Sequence, residues 1–217
     1  MKQFKMLIVV IAIIFPNFLL GAGRLRIVSP EEVNHLLWRG FQQTNDTLIG
    51  IALMGGANIN AENGEGEKAI HLAAATRNLR FLGFLIRHGA NINDLTNNEF
   101  KRSPLHIAVE NGNLMAVQCL ISHGANLNVF DARRNTPLHI AAAHGLLDIT
   151  KALLTGDPDL DPNHRPTANP YIKNLKGKTA FDFAVEFERY ETQALFIKHF
   201  KAKAVHSNPQ SQNGDPI

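Results

Sequence analysis

The chain has 217 residues, 45% of them hydrophobic, which suffices for one sizeable folded unit and lies outside the composition of a disordered chain. Its 22 Lys and Arg exceed its 19 Asp and Glu by three, but Lys2 and Lys5 sit in an N-terminal segment expected to be removed, and the remainder is nearly neutral. That balance lacks the electrostatic footprint of a nucleic-acid binder, and the single cysteine, Cys119, excludes an internal disulfide framework.

The N-terminus comes first. Lys2 and Lys5 flank the start, a mostly apolar run extends from Met6 to Leu20, and Gly21, Ala22 and Gly23 follow. A basic start, a short apolar stretch and a small-residue exit predict a signal peptide over 1–23, and with it a secreted or periplasmic location. The run is interrupted by Pro16 and Asn17 and falls short of the roughly 20 apolar residues that span a membrane. Arg24 and Arg26, just past the exit, keep an uncleaved membrane anchor as the alternative.

Beyond this segment, short phrases recur. Gly-Ala-Asn-Ile-Asn occupies Gly56–Asn60 and Gly89–Asn93, and Gly-Ala-Asn-Leu-Asn occupies Gly124–Asn128, in steps of 33 and 35 residues. A second phrase, starting at Ala69, Pro104 and Pro137, places His71, His106 and His139 at steps of 35 and 33. It returns from Gly177 with Asp182 in the histidine place. A fixed period of this length predicts stacked helix pairs, because one pair cannot bury its apolar face alone.

Local signals agree. Ser103 and Thr136 are helix N-cap candidates, with Pro104 and Pro137 at the first helical position, where the missing N–H costs nothing. Gly112 and Gly145 are placed to close those helices in a left-handed conformation. Leu114, Val117, Leu120 and Ile121 share one face of a second helix, and Leu147, Thr150, Leu153 and Leu154 are their counterparts. Upstream, Ser29–Pro30–Glu31–Glu32 has the form of a capping box.

These phrases resemble the ankyrin repeat family. Its T-P-L-H helix start appears as Ser103–Pro104–Leu105–His106 and Thr136–Pro137–Leu138–His139, and its G-A-D-x-N turn appears with Asn for Asp. The resemblance covers about Ser29 to Phe200. It implies an all-α ankyrin repeat solenoid of about five helix-turn-helix units with short hairpin-like turns. The expected units are about 29–60, 61–93, 98–130, 131–161 and 174–200 within a domain of 24–200, followed by a disordered tail over 201–217. His139 to Asp182 spans 43 residues, ten beyond the period, and the excess is assigned to a loop insertion at 162–173. Lys68–Ala69 departs from the family's helix start, Arg77 replaces a closing glycine, and Asp157 is read in the glycine place of the fourth turn.

The histidines invite a metal or catalytic reading. His71, His106 and His139 are repeat-motif residues, which the resemblance assigns to backbone hydrogen bonds in neighbouring loops. His88 and His123 precede helix-closing glycines, where a cation suits the helix dipole. Cys119 falls among apolar helix positions and is read as packing. Gly177–Thr179 looks like the end of a phosphate-binding loop but lacks the upstream glycine. The reading is therefore no enzyme, no cofactor and no metal.

The resemblance implies that turn tips and the exposed edges of first helices hold a partner protein. The candidate residues are Glu65, Glu67, Thr76, Glu99, Phe100, Arg102, Glu110, Asn111, Arg133, Asn135, His144, Lys176 and Lys178. Two readings of Phe100 stay open: an exposed anchor beside Arg102, or a ring folded back under a two-residue insertion in its turn. The tips grade from acidic in the second unit to basic in the later ones. The expected function is a monomeric protein-binding scaffold outside the cytoplasm. Exported ankyrin proteins of this size resemble those of bacteria. The expected partner is an unidentified protein, not nucleic acid, with membrane contact only if the N-terminal segment is uncleaved. The alternatives are a membrane-tethered docking protein and an enzyme-modulating accessory acting through Asp157 to Lys176.

Overall fold

The computed structural model describes residues 29–43, 45–156 and 166–207. The expected signal segment lies outside them. Ten helices run through the described residues as five successive pairs. They are α1 (Pro30–Gln42) with α2 (Asp46–Met54), α3 (Ala69–Ala75) with α4 (Leu79–Arg87), and α5 (Pro104–Glu110) with α6 (Leu114–Ser122). The last two pairs are α7 (Pro137–His144) with α8 (Leu147–Thr155), and α9 (Ala180–Glu186) with α10 (Tyr190–Ser207). The expected five-unit, all-α solenoid is the fold.

Helices α3 to α9 are only seven to nine residues long. Isolated helices below about 12–15 residues are marginal in water, so packing and caps hold these. The first helices α3, α5, α7 and α9 pack in series, and the second helices α4, α6, α8 and α10 form a parallel layer behind them. Ile70, Leu105 and Leu138, each just before a motif histidine, are buried between the layers. Leu82 and Leu85 in α4, Val117 and Leu120 in α6, and Leu153 in α8 complete the core from the other side. Each such aliphatic side chain stabilises the stack by roughly 1.5–3 kcal/mol relative to exposure.

Ser103 caps α5 by accepting from His106 N–H, whereas Thr136 stands at the N-cap of α7 without a side-chain cap bond, its hydroxyl meeting His139 Nδ1 instead. Ser29 and Glu32 form a reciprocal capping box at α1. Gly112 and Gly145 adopt φ of 60° and 69° after α5 and α7. At Arg77 no left-handed residue closes α3, and the chain leaves through Thr76 in an extended conformation. A further cap is an asparagine before three second helices: Asn45, Asn78 and Asn113 accept from the N–H of Leu48, Phe81 and Ala116. Asn113 also donates to the carbonyls of Ala74 and Thr76 in the preceding unit.

The Asn-rich turns form a ladder along the stack. In each turn the first asparagine accepts from the N–H two residues on, as Asn58, Asn91 and Asn126 do from Asn60, Asn93 and Asn128. The second asparagine then accepts from the backbone of the next unit. Asn93 receives the N–H of Asn126 at 2.8 Å, and Asn128 receives that of Asn169 at 2.7 Å.

That last rung corrects the fourth unit. Asp157, read in the glycine place of that turn, lies outside the described residues. Ala168 donates to Leu153 O as Ala125 does to Leu120 O, and Asn169 accepts from Tyr171 N as Asn126 does from Asn128 N. Ala168–Tyr171 is therefore the fourth copy of the turn. The inserted residues lie between α8 and Ala168, ahead of the turn rather than at 162–173. The backbone pattern decides this: the N–H groups of Ala168 and Asn169 make the bonds that those of Ala125 and Asn126 make one unit earlier.

The expected tail also shifts. Helix α10 runs to Ser207, so residues 201–207 are helical rather than disordered. Lys201, Ala202, Lys203 and Ala204 are strong helix formers that extend an existing helix at little cost. Residues 208–217 lie outside the described chain. At this end Phe181 meets Phe196 and Phe200 edge to face, and Tyr171 stacks on Phe200 at 5.4 Å. This aromatic lid closes the core of the last unit.

Candidate functional site

Each of the first helices α3, α5, α7 and α9 is preceded by a short hairpin, here called a finger. The fingers are closed by backbone bonds from Asn63 to Glu67, Thr96 to Arg102, Asp131 to Asn135, and Asn174 to Lys178, at 2.8–2.9 Å. In three of them the side chain of the first residue grips the loop. Asn63 Oδ1 accepts from Glu65 and Glu67, Asp131 Oδ1 from Arg133 and Asn135, and Asn174 Oδ1 from Lys176 and Lys178. The finger that starts at Thr96 is two residues longer. There Thr96 Oγ1 accepts from Arg102 N, and Asn98 Oδ1 accepts from Phe100 N and the Thr96 hydroxyl.

Fingers are tied side by side. Ala132 N donates to Phe100 O at 2.9 Å, Leu175 N to Arg133 O at 3.1 Å, and Asn97 N to Gly66 O. Gly66 has a φ of 72°, and an added Cβ would meet the Asn97 carbonyl, so this close approach needs glycine.

The motif histidines lock fingers to helices. Nδ1 of His106 accepts from the Ser103 backbone N–H and hydroxyl, and Nδ1 of His139 accepts from those of Thr136. The ring hydrogen must then be on Nε2, which donates to Asn135 O from His106 and to Lys178 O from His139, both at 3.1 Å. His71 repeats the arrangement with Lys68 N and Asp94 O. Burial lowers all three pKa values, His106 to about 4, so these imidazoles are neutral. In the last unit Asp182 accepts from the Thr179 N–H and hydroxyl, and those bonds hold its carboxyl below the usual range. Among the described residues no finger follows it, so an acceptor-only side chain leaves no donor stranded.

The other histidines also have local partners. The rings of His88 and His123 meet the carbonyls of Phe84 at 2.8 Å and Cys119 at 2.7 Å, on the last turns of α4 and α6. Cys119 is half-buried, and burial pushes its thiol pKa up, away from a reactive thiolate. Among the described residues no three His, Cys, Asp or Glu side chains converge as a metal site. No helix among them is long and apolar enough to cross a membrane.

Between fingers and first helices lie two adjoining hollows of about 700 Å³ each. One is bounded by Glu65, Glu67, Ala75 and Asn111, the other by Arg133, Asn135, His144 and Lys176. Glu99, Phe100, Arg102 and Glu110 border both and form the wall between them. Phe100 does not fold back: it is 44% exposed, with the Arg102 guanidinium 4.7 Å over its ring. Eleven of the thirteen candidate residues therefore border one continuous concave surface. Thr76 and Lys178 do not. The Thr76 hydroxyl donates to Ala73 O at the end of α3, and Lys178 pairs with Glu186 at 2.7 Å.

The sequence pattern missed the apolar floor. Ile140 and Phe183, each one residue past the motif histidine or its aspartate replacement, border the second hollow. Ile107 does the same in the first. Their shared register was the available signal, but an apolar residue beside a buried motif reads as core.

Polarity changes along the surface, from Glu65 and Glu67 at one end to Arg133 and Lys176 at the other. This arrangement can grip an extended or loop-like protein segment: it has an apolar floor, charged rims and preformed walls. A comparison with curated proteins finds no match. The family model for ankyrin repeats in three copies matches residues 37–131 and 93–166, more than half of the chain. With the finger hairpins, the cap-and-carbonyl histidines and the paired helices, this places the chain in the ankyrin repeat family.

Proposed function

We propose that the chain is a protein-binding scaffold that works outside the cytoplasm and seats its partner against the fingers and first helices of the second to fifth units. Ankyrin repeats are a non-catalytic interaction module, and binding of a protein partner is the function typical of the family. The observation that supports the site is the continuous concave surface with the exposed Phe100–Arg102 pair at its centre. Aromatic and arginine side chains side by side, on a rigid support, are the residue types that dominate binding energy at interfaces. The test is affinity purification of the full chain from its native organism, wild type beside Phe100→Ala/Arg133→Ala. Loss of the co-purified protein from the variant supports this surface, and its retention moves the site elsewhere.

The location rests on the sequence of residues 1–23 and on nothing in the described chain. Sequencing the N-terminus of the extracted protein separates two readings. A start near Gly23 or Arg24 supports export, whereas an intact Met1 with detergent-dependent solubility supports tethering, to which Arg24 and Arg26 lend weight. An accessory role for the inserted segment is narrowed to 156–167, because Ala168–Lys178 forms the regular turn and finger.

A further inference from the structure

The rim charges differ from unit to unit. At the same register, Arg102 pairs with Glu110 and Lys178 with Glu186, each at 2.7 Å. In both units the pair joins the finger to the edge of the first helix. The unit between them has Asn135 and Ala143 at these two positions, so its ion pair is missing. Into this gap project Arg133 and Lys176, at equivalent finger tips, and neither meets a carboxylate among the described residues. Beneath them lie the partly exposed faces of Ile140, Phe183 and Phe187.

We propose that this gap receives an extended acidic segment of a partner protein, with its carboxylates on Arg133 and Lys176 and an adjacent apolar side chain on the Ile140–Phe183–Phe187 floor. The inference rests on the proposed binding surface and gives it a ligand class. Arg133 and Lys176 stand exposed at equivalent tips of neighbouring fingers and form no ion pair, although Glu99 and Asp131 border the same hollow; two such adjacent cations attract carboxylates and set the direction of the bound segment. A nucleic acid fits less well. Two cations neutralise few of its closely spaced phosphates, and the aliphatic Ile140 in the floor is no partner for base stacking. A flat anionic membrane cannot enter a concave hollow.

The experiment is a selection from an unbiased displayed library of random peptides on the purified full chain, with Ala143→Trp as the groove-blocked counterpart. Enriched peptides are then measured by fluorescence anisotropy on wild type and on Arg133→Glu/Lys176→Glu, whose exposed tips tolerate substitution. Expected is enrichment of Asp- and Glu-rich sequences with one apolar residue, binding weakened at least tenfold by the charge reversal and by 0.5 M salt. Neutral or basic peptides that lose binding on Ala143→Trp would overturn the acidic partner and leave the groove reading standing. Peptides indifferent to Ala143→Trp, or no enrichment over it, would overturn both. A single-stranded oligonucleotide that binds as tightly as the best peptide would also reject the proposal.

Discussion

Arg102 Nη1 stands 2.7 Å from Glu110 Oε2, and the same guanidinium lies 4.7 Å from the centre of the Phe100 ring. One side chain thus fixes the exposed aromatic of the finger and ties that finger to α5. The pair is partly exposed, at 34% and 24% for the two side chains, so its Coulomb term is screened. Burial still raises the Glu110 pKa against the opposing pull of Arg102, which shows that desolvation outweighs the pairing. Arg102→Ala should therefore lower unfolding free energy by only about 1 kcal/mol, from the ion pair and the ring contact together. A Phe100→Ala/Arg102→Ala double-mutant cycle in urea should give a coupling of about 0.5 kcal/mol. Zero coupling would mean the stacked geometry carries no energy.

Acid should loosen the stack through the motif histidines. His106 has its pKa lowered from 6.5 to about 4, because burial opposes charge and Nδ1 is already an acceptor for Ser103. Between those values the unfolded chain binds a proton that the folded chain does not, so stability is full above pH 6.5 and falls as pH drops towards 4. The His106 contribution amounts to roughly 3 kcal/mol at the acid end, and His71 and His139 shift in the same direction. Urea unfolding at pH 7.5, 6, 5 and 4 should show this decline. His106→Gln should be less stable at pH 7.5 yet have a shallower slope; an unchanged slope would remove His106 as the titrating group.

The five-unit stack and its register were legible because fixed spacing is a global signal that local departures cannot erase. The finger tips were legible for the same reason, as positions at constant offset from the motif histidines. Two things were hidden. The fourth turn lacks the glycine that marks the others, so Gly156–Asp157 read as the turn while the backbone pairing selects Ala168 and Asn169. The floor of the groove was hidden because Ile140 and Phe183 are apolar in a helix with apolar neighbours, and exposure there depends on how the fingers tilt over the helices, which no single-unit pattern encodes.

Thr150 marks a place where the sequence works against the core. It occupies the position of Leu82 and Val117 in the preceding second helices and is fully buried, and its hydroxyl has no hydrogen-bond partner. An unpaired buried hydroxyl costs about 1–3 kcal/mol. Thr150→Val replaces it with a methyl of similar size on an equally branched side chain. The variant should be more stable by about 1 kcal/mol in urea unfolding, with the denaturant slope unchanged. A loss of stability would indicate that the hydroxyl has a partner when the protein is in water.

Backbone conformation gives a matched pair of tests. Gly66 and Glu188 both have positive φ, at 72° and 56°. Glu188 follows α9 at the register where Gly112 and Gly145 follow α5 and α7, so the last unit places a side chain in a conformation that disfavours one. That conformation costs a non-glycine residue roughly 1–2 kcal/mol, partly offset by the greater freedom of glycine in the unfolded chain. Glu188→Gly should therefore stabilise by about 0.5 kcal/mol. Gly66→Ala adds steric overlap with the Asn97 carbonyl to the same backbone penalty and weakens the bond from Asn97 N to Gly66 O that joins two fingers. It should destabilise by at least about 2 kcal/mol and accelerate hydrogen exchange at the Asn97 amide. The opposite signs separate conformational strain from mere loss of side-chain contacts, because Glu188→Gly removes atoms and Gly66→Ala adds them.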